Sequence, residues 1–351
     1  MTKEVLLVPL FEKFIRDTKT GRRCKLNGQM IKPQTVVNYR EVLKHLVGFE
    51  QYSGQAIRIT LNIRNDQRRQ LQESNYWKDF YRNLSDYLYY QKGCYDNFTG
   101  TIFKNLKCFF RYIKSEKCLA APDHFKNFHV KKENIRVISL LPEQFYFLVH
   151  ATAFERRLTR AQKRIKDMFI FGTTGALRYS DLMNLQVKDI ECHRDQYFLV
   201  FRSVKTDTPV TIKLPGFAVC IFQKYGRNKT PQQKLFPQLA NSGFNKQLRQ
   251  LTAKAGWTQP IGKTRSRNGE PEEVRTFQNK TYRFCDQLSS HAMRKTGITL
   301  LLMLGMPEYL VRKISGHSAN STEFFRYVNF AQSFITDEID KVHQKLLTLY
   351  Q

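Results

Sequence analysis

The chain has 351 residues, 41% of them apolar, with 27 Phe and 17 Tyr, enough for more than one packed core. Its formal charge of +28 divides as +12 over residues 1–134 and +16 over 135–351. Such a spread argues against a basic tail on a neutral domain and for a large anionic partner, which nucleic acid fits better than a membrane surface.

Residues 5–17 predict a short helix with Leu6, Leu7, Leu10 and Phe14 inward. A basic loop follows, with Arg22, Arg23 and Lys25 as candidate phosphate contacts and an Asn27-Gly28 turn. Pro33 and Thr35 start a helix to about Gln51. A third is capped near Ser74 and carries Trp77, Phe80, Tyr81, Leu84 and Leu88. A fourth starts at Asp96 and carries Phe98, Ile102, Leu106, Phe109 and Ile113. Residues 1–118 thus read as a four-helix bundle whose aromatic stripes form its core. Residues 119–138 lack periodicity, contain Pro122, Lys131 and Lys132, and read as a basic linker across a duplex groove.

Residues 139–351 form the second domain. Pro142 opens a helix, and 161–176 is a buried helix rich in Phe169, Ile170 and Phe171. Arg178 follows at a helix–helix corner. Strands are expected at Val187–Glu191, Gln196–Val204 and Pro209–Leu214, with Lys205 on the last turn. Helices at 217–226 and 244–255 come next. Residues 262–283, with Lys263, Arg265 and Arg267, read as an exposed loop or hairpin near phosphates. Ser289 or Ser290 caps a helix to Leu304, Pro307 opens another to 314, and a third from Ser321 carries Tyr327. The first two look superficially like a helix-turn-helix reader. A separate last helix, 333–350, shows an apolar stripe of Ile335, Ile339, Val342 and Leu346. Docked on an adjacent subunit, it would close a head-to-tail ring.

The seven Cys include no CxxC and are odd in number, which argues for a reducing compartment without disulfides or structural zinc. No apolar run is long enough to span a membrane, and Val5–Val8 is too short for a signal sequence.

The chemistry sits in the last third. His291 and Arg294, three apart, share a helix face; His317 follows past a helix break, and Tyr327 comes ten residues later. No metal-ligand or hydrolase spacing explains this set. It makes sense around one phosphate, with Arg178 and Lys205 as further cations. Metal-free cleavage of a DNA phosphodiester needs donors for charge on the non-bridging oxygens, which Arg supplies bidentately. It needs a proton for the leaving alkoxide, from Lys or His, and a nucleophile that conserves the bond, which Tyr provides.

Gly175-Ala176-Leu177-Arg178-Tyr179-Ser180-Asp181-Leu182, His291-Ala292-Met293-Arg294, Ser315-Gly316-His317 and Tyr327 resemble the tyrosine recombinase (phage integrase) family over about 140–330. The helical first half is similar to that family's core-binding domain, with weaker motifs. The resemblance implies a mainly α fold with a small antiparallel sheet (α+β), the two domains forming a C-shaped clamp on DNA. It implies that Arg178 and Arg294 clamp the scissile phosphate, that His291 contacts a non-bridging oxygen and assists proton transfer, and that His317 braces the transition state. Lys205 would protonate the leaving 5′ oxygen and Tyr327 would form a 3′-phosphotyrosyl link. It further implies double-stranded DNA with a specific site as partner, a monomer that becomes a homotetramer on DNA, exchange through a Holliday junction, possible DNA-bending accessory factors, and a cytoplasmic, nucleoid-associated location. No cofactor, metal or membrane is expected. Asp181 stands where the family usually has Glu, Lys295 follows Arg294 where His is frequent, and the interval from His317 to Tyr327 is one residue longer than is common. The competing readings are a type IB topoisomerase-like enzyme and a DNA-binding regulator without catalysis.

Overall fold

A computed structural model describes residues 3–62, 67–117, 119, 121, 123–205 and 207–348, without the side chains of 342 and 345–348 in the last helix. The expectations for Cys118, Pro122, Thr206, Val342 and Leu346 concern positions or side chains outside the described residues. In chain order the first elements are β1 (Lys3–Leu6), α1 (Leu7–Lys19), α2 (Pro33–Ser53), β2 (Arg58–Leu61), α3 (Gln67–Asp86) and α4 (Asp96–Ser115). Then come α5 (Pro142–His150), α6 (Thr152–Arg156), α7 (Arg160–Thr174), α8 (Tyr179–Asn184), β3 (Ile190–His193), β4 (Gln196–Arg202), β5 (Pro209–Lys213), α9 (Gly216–Gly226) and α10 (Asn241–Lys254). The chain ends with β6 (Thr264–Arg267), β7 (Glu270–Glu273), α11 (Phe284–Gln287), α12 (Ser290–Met303), α13 (Glu308–Ser315) and α14 (Thr322–Thr348). It divides into two units: Met1–Ile135 with Thr264–Val274, and Arg136–Lys263 with Arg275–Gln351.

The first unit is a helical bundle with an aromatic core. Phe14 of α1 lies 4.6 Å from the Tyr39 ring of α2 and 5.0 Å from Tyr112 of α4. Trp77, 2% exposed, meets Phe110 edge-on at 5.1 Å. These stripes are core, as helical spacing predicts, except that Phe98 at the start of α4 is 40% exposed. The start of the chain differs from the expected helix over 5–17. Val5 and Leu6 belong to β1, which pairs antiparallel with β2, and Leu6 is exposed. A short apolar run fits strand or helix equally, and here a partner strand more than fifty residues away decides.

The described residues of 119–135 are anchored at several points rather than forming a free linker. Ala121, Phe125 and Phe128 are buried in the first core. The chain then passes over α4 so closely that a Cβ on Gly100 would stand 2.2 Å from the Lys131 carbonyl oxygen. The 262–283 stretch, expected as a loop or hairpin, contains a hairpin, and part of it is held by buried contacts. β6 and β7 form a hairpin within the first unit. Glu133, 4% exposed, accepts from Arg265 Nε (2.6 Å) and Nη2 (2.8 Å) and from the backbone N–H groups of Asn97 (3.0 Å) and Ser266 (3.1 Å). Burial pushes the Glu133 carboxyl up, but those donors outweigh it and hold it down at about 2.

The second unit is built around α7, buried over Ile165–Thr173 and capped by Thr159 with Gln162. Helix α12 crosses it at two glycines. A Cβ on Gly297 would meet the Thr173 carbonyl oxygen at 2.2 Å, and one on Gly172 would meet Met293 Sδ at 2.6 Å. Beside them lies the antiparallel sheet β3-β4-β5. Residues 187–189, expected as strand, form a 3-10 turn before β3. The β3–β4 turn places Arg194 and Asp195 both at positive φ, 50° and 60°. The two expected terminal helices are one, α14, because neither Gly nor Pro interrupts residues 322–348. Among the described residues no helix is long and apolar enough to cross a membrane.

Replacing Glu133 by Ala leaves the Arg265 guanidinium in a partly enclosed site without its carboxylate. The first unit should lose about 3 kcal/mol, the lower end for breaking a buried pair. Urea unfolding followed by Trp fluorescence reads this through Trp77; a change under 1 kcal/mol would deny the pair its structural role.

Candidate active site

The site lies in the second unit and is assembled from four segments. The first is the corner after α7. Ala176 adopts a left-handed φ of 46°, which turns the chain so that Arg178 becomes the N-cap of α8. Arg178 Nη1 donates to Ser203 Oγ at 3.0 Å. Asp181, one turn on and 3% exposed, accepts from Ser203 Oγ (3.2 Å) and from the Val204 N–H (2.9 Å). The second segment is the β4–β5 turn, where Lys205 is solvent-exposed.

The third segment is α12. His291 and Arg294 share one face near its N-terminus. Arg294 is 4% exposed; Nη1 donates to the Ala176 carbonyl at 3.1 Å and Nη2 to the Ser315 carbonyl. The fourth segment runs from the end of α13 into α14. Gly316, at φ 62°, ends α13 in the left-handed conformation and brings His317 back toward Arg294, whose Nη2 lies 3.4 Å from Nδ1. Ser315 Oγ donates to the Val311 carbonyl (2.6 Å) and lies 2.8 Å from His317 Nδ1. The His317 ring centroid is 6.0 Å from that of Tyr327, which is 7% exposed on the first turns of α14.

Electrostatics ties the six residues to one place. Burial, then Lys295, Arg294, Arg178 and Lys205, push His291 down to about 4, although part of its side chain meets solvent. Burial, then Arg294, Arg178, Arg312 and His291, push His317 to about 4. Burial and the neighbouring Arg178 lower Arg294 to about 10, so it remains charged at neutral pH. Burial raises the Tyr327 phenol, and Arg294 works against that rise. The result is an enclosure rich in positive charge beside an aromatic hydroxyl, with both imidazoles neutral at pH 7. Among the described residues no group of three or more His, Cys, Asp or Glu is placed to hold a metal ion.

All six expected catalytic residues, Arg178, Lys205, His291, Arg294, His317 and Tyr327, are therefore brought together. The eight expected DNA contacts divide. Arg22, Lys25 and Lys132 are exposed. Lys263 is half-buried, 5.0 Å over the Tyr282 ring. Four have internal partners: Arg23 lies over Phe14 at 4.6 Å and donates to Cys108 Sγ at 3.2 Å, and Lys131 bonds Asn268 at 2.6 Å. Arg265 pairs with Glu133, and Arg267 with Glu272 and the Tyr89 carbonyl. Charge alone does not separate a cation that faces solvent from one that braces a loop. Reading by residue type also passed over Ser203 and gave Ser315 no role of its own. An isolated Ser carries no spacing signal; only their contacts mark them.

The imidazoles fix a pH dependence. Each takes a proton near pH 6.5 at its ordinary value but only near 4 when folded, so between these values the unfolded chain binds more protons. Stability of the DNA-free protein should be full above about 6.5 and fall as pH drops toward 4. In thermal melts across that window, His317→Asn should flatten part of the slope; an unaltered slope would place the titration elsewhere.

Comparison with known proteins follows this geometry. The phage integrase family model matches residues 148–333, more than half of the chain and all six residues above. No curated protein matches. Among solved structures, the fold is similar to a Tn1549 transposon integrase in complex with circular intermediate DNA, at 16% identity and TM-score 0.58, covering 92% of this chain and 95% of that one. It is similar to XerH site-specific recombinase bound to a palindromic difH substrate, at 15% identity and TM-score 0.59, covering 95% and 84%. Lambda integrase bound to DNA matches at 12% identity and TM-score 0.55, covering 90% and 93%. At such identities the likeness concerns fold, while the family match spans the site: this chain belongs to the phage integrase family and is a tyrosine-type site-specific recombinase.

Proposed function

We propose that the chain cuts and rejoins duplex DNA through Tyr327, without metal or cofactor. The scissile phosphate sits between Arg178 and Arg294, whose donors meet charge growing on the non-bridging oxygens. The Tyr327 oxygen attacks phosphorus as the bond to the 5′ oxygen breaks, forming a 3′-phosphotyrosyl ester. The Lys205 ammonium gives its proton to the leaving oxygen, which departs as a 5′-hydroxyl. His291, neutral at pH 7, takes up the phenol proton, and His317 holds a phosphate oxygen. A free 5′-hydroxyl reverses the steps, and because the phosphoester is conserved, rejoining needs no ATP.

One observation carries this reading: two arginines, one of them 4% exposed, converge with two neutral imidazoles on a buried tyrosine. The DNA in the complexes of the Tn1549, XerH and lambda proteins supports duplex DNA as the substrate, and with it a place in the cytoplasm at the nucleoid. Exposed Arg22, Lys25 and Lys132, with Lys263, would add phosphate contacts, so affinity should fall steeply with salt.

Strand exchange through a Holliday junction needs several copies, and α14 offers the joint. Its Ile335 and Ile339 are 39% and 48% exposed. The second unit also carries an apolar groove of about 830 Å³ lined by Phe145, Val149, Phe217, Leu300 and Leu304. The end of α14 from a neighbouring copy seated there would close a head-to-tail tetramer on DNA.

The deciding experiment is covalent trapping on genomic fragments, sequenced at the adduct. Tyr327→Phe should retain DNA binding and yield no adduct; an adduct from that variant would move the nucleophile. Arg178→Lys keeps the charge but loses the fork, and should slow cleavage about 10²-fold with little change in affinity. Equal losses in both would deny it the phosphate. Removing residues 333–351 should abolish the DNA-bound tetramer before it affects single-strand cleavage, and a surviving tetramer would refute the α14 joint.

A further inference from the structure

Arg178 and Asp181 form an ion pair without a direct hydrogen bond: Nη1 stands 3.8 Å from Oδ2, beyond hydrogen-bond reach. Ser203 fills the interval. Its Oγ accepts from Arg178 Nη1 at 3.0 Å and donates to Asp181 Oδ2 at 3.2 Å. The other carboxylate oxygen takes the Val204 N–H at 2.9 Å. Ser203 also closes the turn that carries Lys205, since its N–H donates to the Thr208 carbonyl (3.0 Å) and its carbonyl accepts from the Asp207 N–H (2.8 Å). Both Ser203 and Asp181 are 3% exposed, so water cannot replace these bonds cheaply.

We propose that Ser203 is a positioning residue that locks the Lys205 turn to Arg178 and so sets the distance between proton donor and phosphate clamp. The chemistry dictates this need. Lys205 is an exposed ammonium on a flexible stem, and general acid catalysis works only within hydrogen-bond reach of the leaving oxygen. The Val204 N–H ties the turn to Asp181, but among the described residues no backbone bond ties it to the Arg178 guanidinium itself. The Ser203 hydroxyl supplies that second constraint, because its donor and acceptor are both committed to the segment that presents Arg178. The inference rests on the roles given above to Arg178 and Lys205.

The test uses the full chain and a nicked duplex bearing the cleavage sequence recovered by trapping. One version has the ordinary 5′ oxygen at the scissile bond; the other has a bridging 5′ sulfur, which leaves as thiolate and needs no proton. Ser203→Ala should cut the oxygen substrate about 10²-fold more slowly, the low end for loss of a general acid. It should cut the sulfur substrate within a few-fold of the unsubstituted chain. Ser203→Thr, which keeps the hydroxyl, should recover the oxygen reaction. If Ser203→Ala folds poorly by thermal melt, Ser203→Cys, close in size but a weak donor, carries the same expectation. Equal slowing on both substrates, or no slowing on either, overturns the proposal. Absence of any Tyr327 adduct from the unsubstituted chain would instead overturn the cleavage reading beneath it.

Discussion

The site depends on the burial of one guanidinium. Arg294 sits at 4% exposure, and a charge so enclosed persists only with its donors committed. Its two Nη atoms hold the Ala176 and Ser315 carbonyls, so one side chain joins α12 to the corner before α8 and to the end of α13. Each Nη carries two hydrogens, and these bonds use one apiece. The second Nη2 hydrogen faces the His317 ring, 3.4 Å from Nδ1, so the second Nη1 hydrogen and Nε are the donors a phosphate would take. The same bonds that place the group thus aim it. The glycine crossing of α7 and α12 makes this possible, because a side chain at Gly297 would meet the Thr173 carbonyl oxygen and Ala176, whose carbonyl Arg294 holds.

Around that point the protein gathers cations that repel one another. Burial first, and this repulsion after it, drive both imidazoles to about 4 and lower Arg294 to about 10. An anion placed among them removes the repulsion, and a transition state with more charge on its oxygens removes more. Donors already fixed before the reaction need no rearrangement during it. Asp181 offsets part of the repulsion from below, through Ser203, and leaves the open side positive.

The first unit shows that a charge of +28 is not a map of contacts. Arg265, Arg267, Arg23 and Lys131 are held by carboxylates, carbonyls, rings or a thiol of their own unit. Glu133 organises this region as Arg294 organises the site: a buried ion with every lone pair directed at a donor.

Much was legible in the residues alone. Periodicity and the positions of Pro33, Asp96, Pro142 and Gly316 mark helices that exist, because helix formation is local. The six residues proposed for the site stand in the sequence as ordered slots, each a type that phosphoryl chemistry would call for. Tertiary structure decided what depends on distant partners. The β1–β2 pairing, the hairpin at 264–273 held by Glu133 from 132 positions away, and the burial of Ala121, Phe125 and Phe128 follow from which surfaces meet. Ser203 belongs to the same class: its residue type fits any turn, and only folding set its hydroxyl between Arg178 and Asp181. The sequence by itself determined which chemistry the chain carries and where its helices run. The contacts that hold that chemistry in register join residues far apart in the chain, and spacing along a chain holds no record of distance across it.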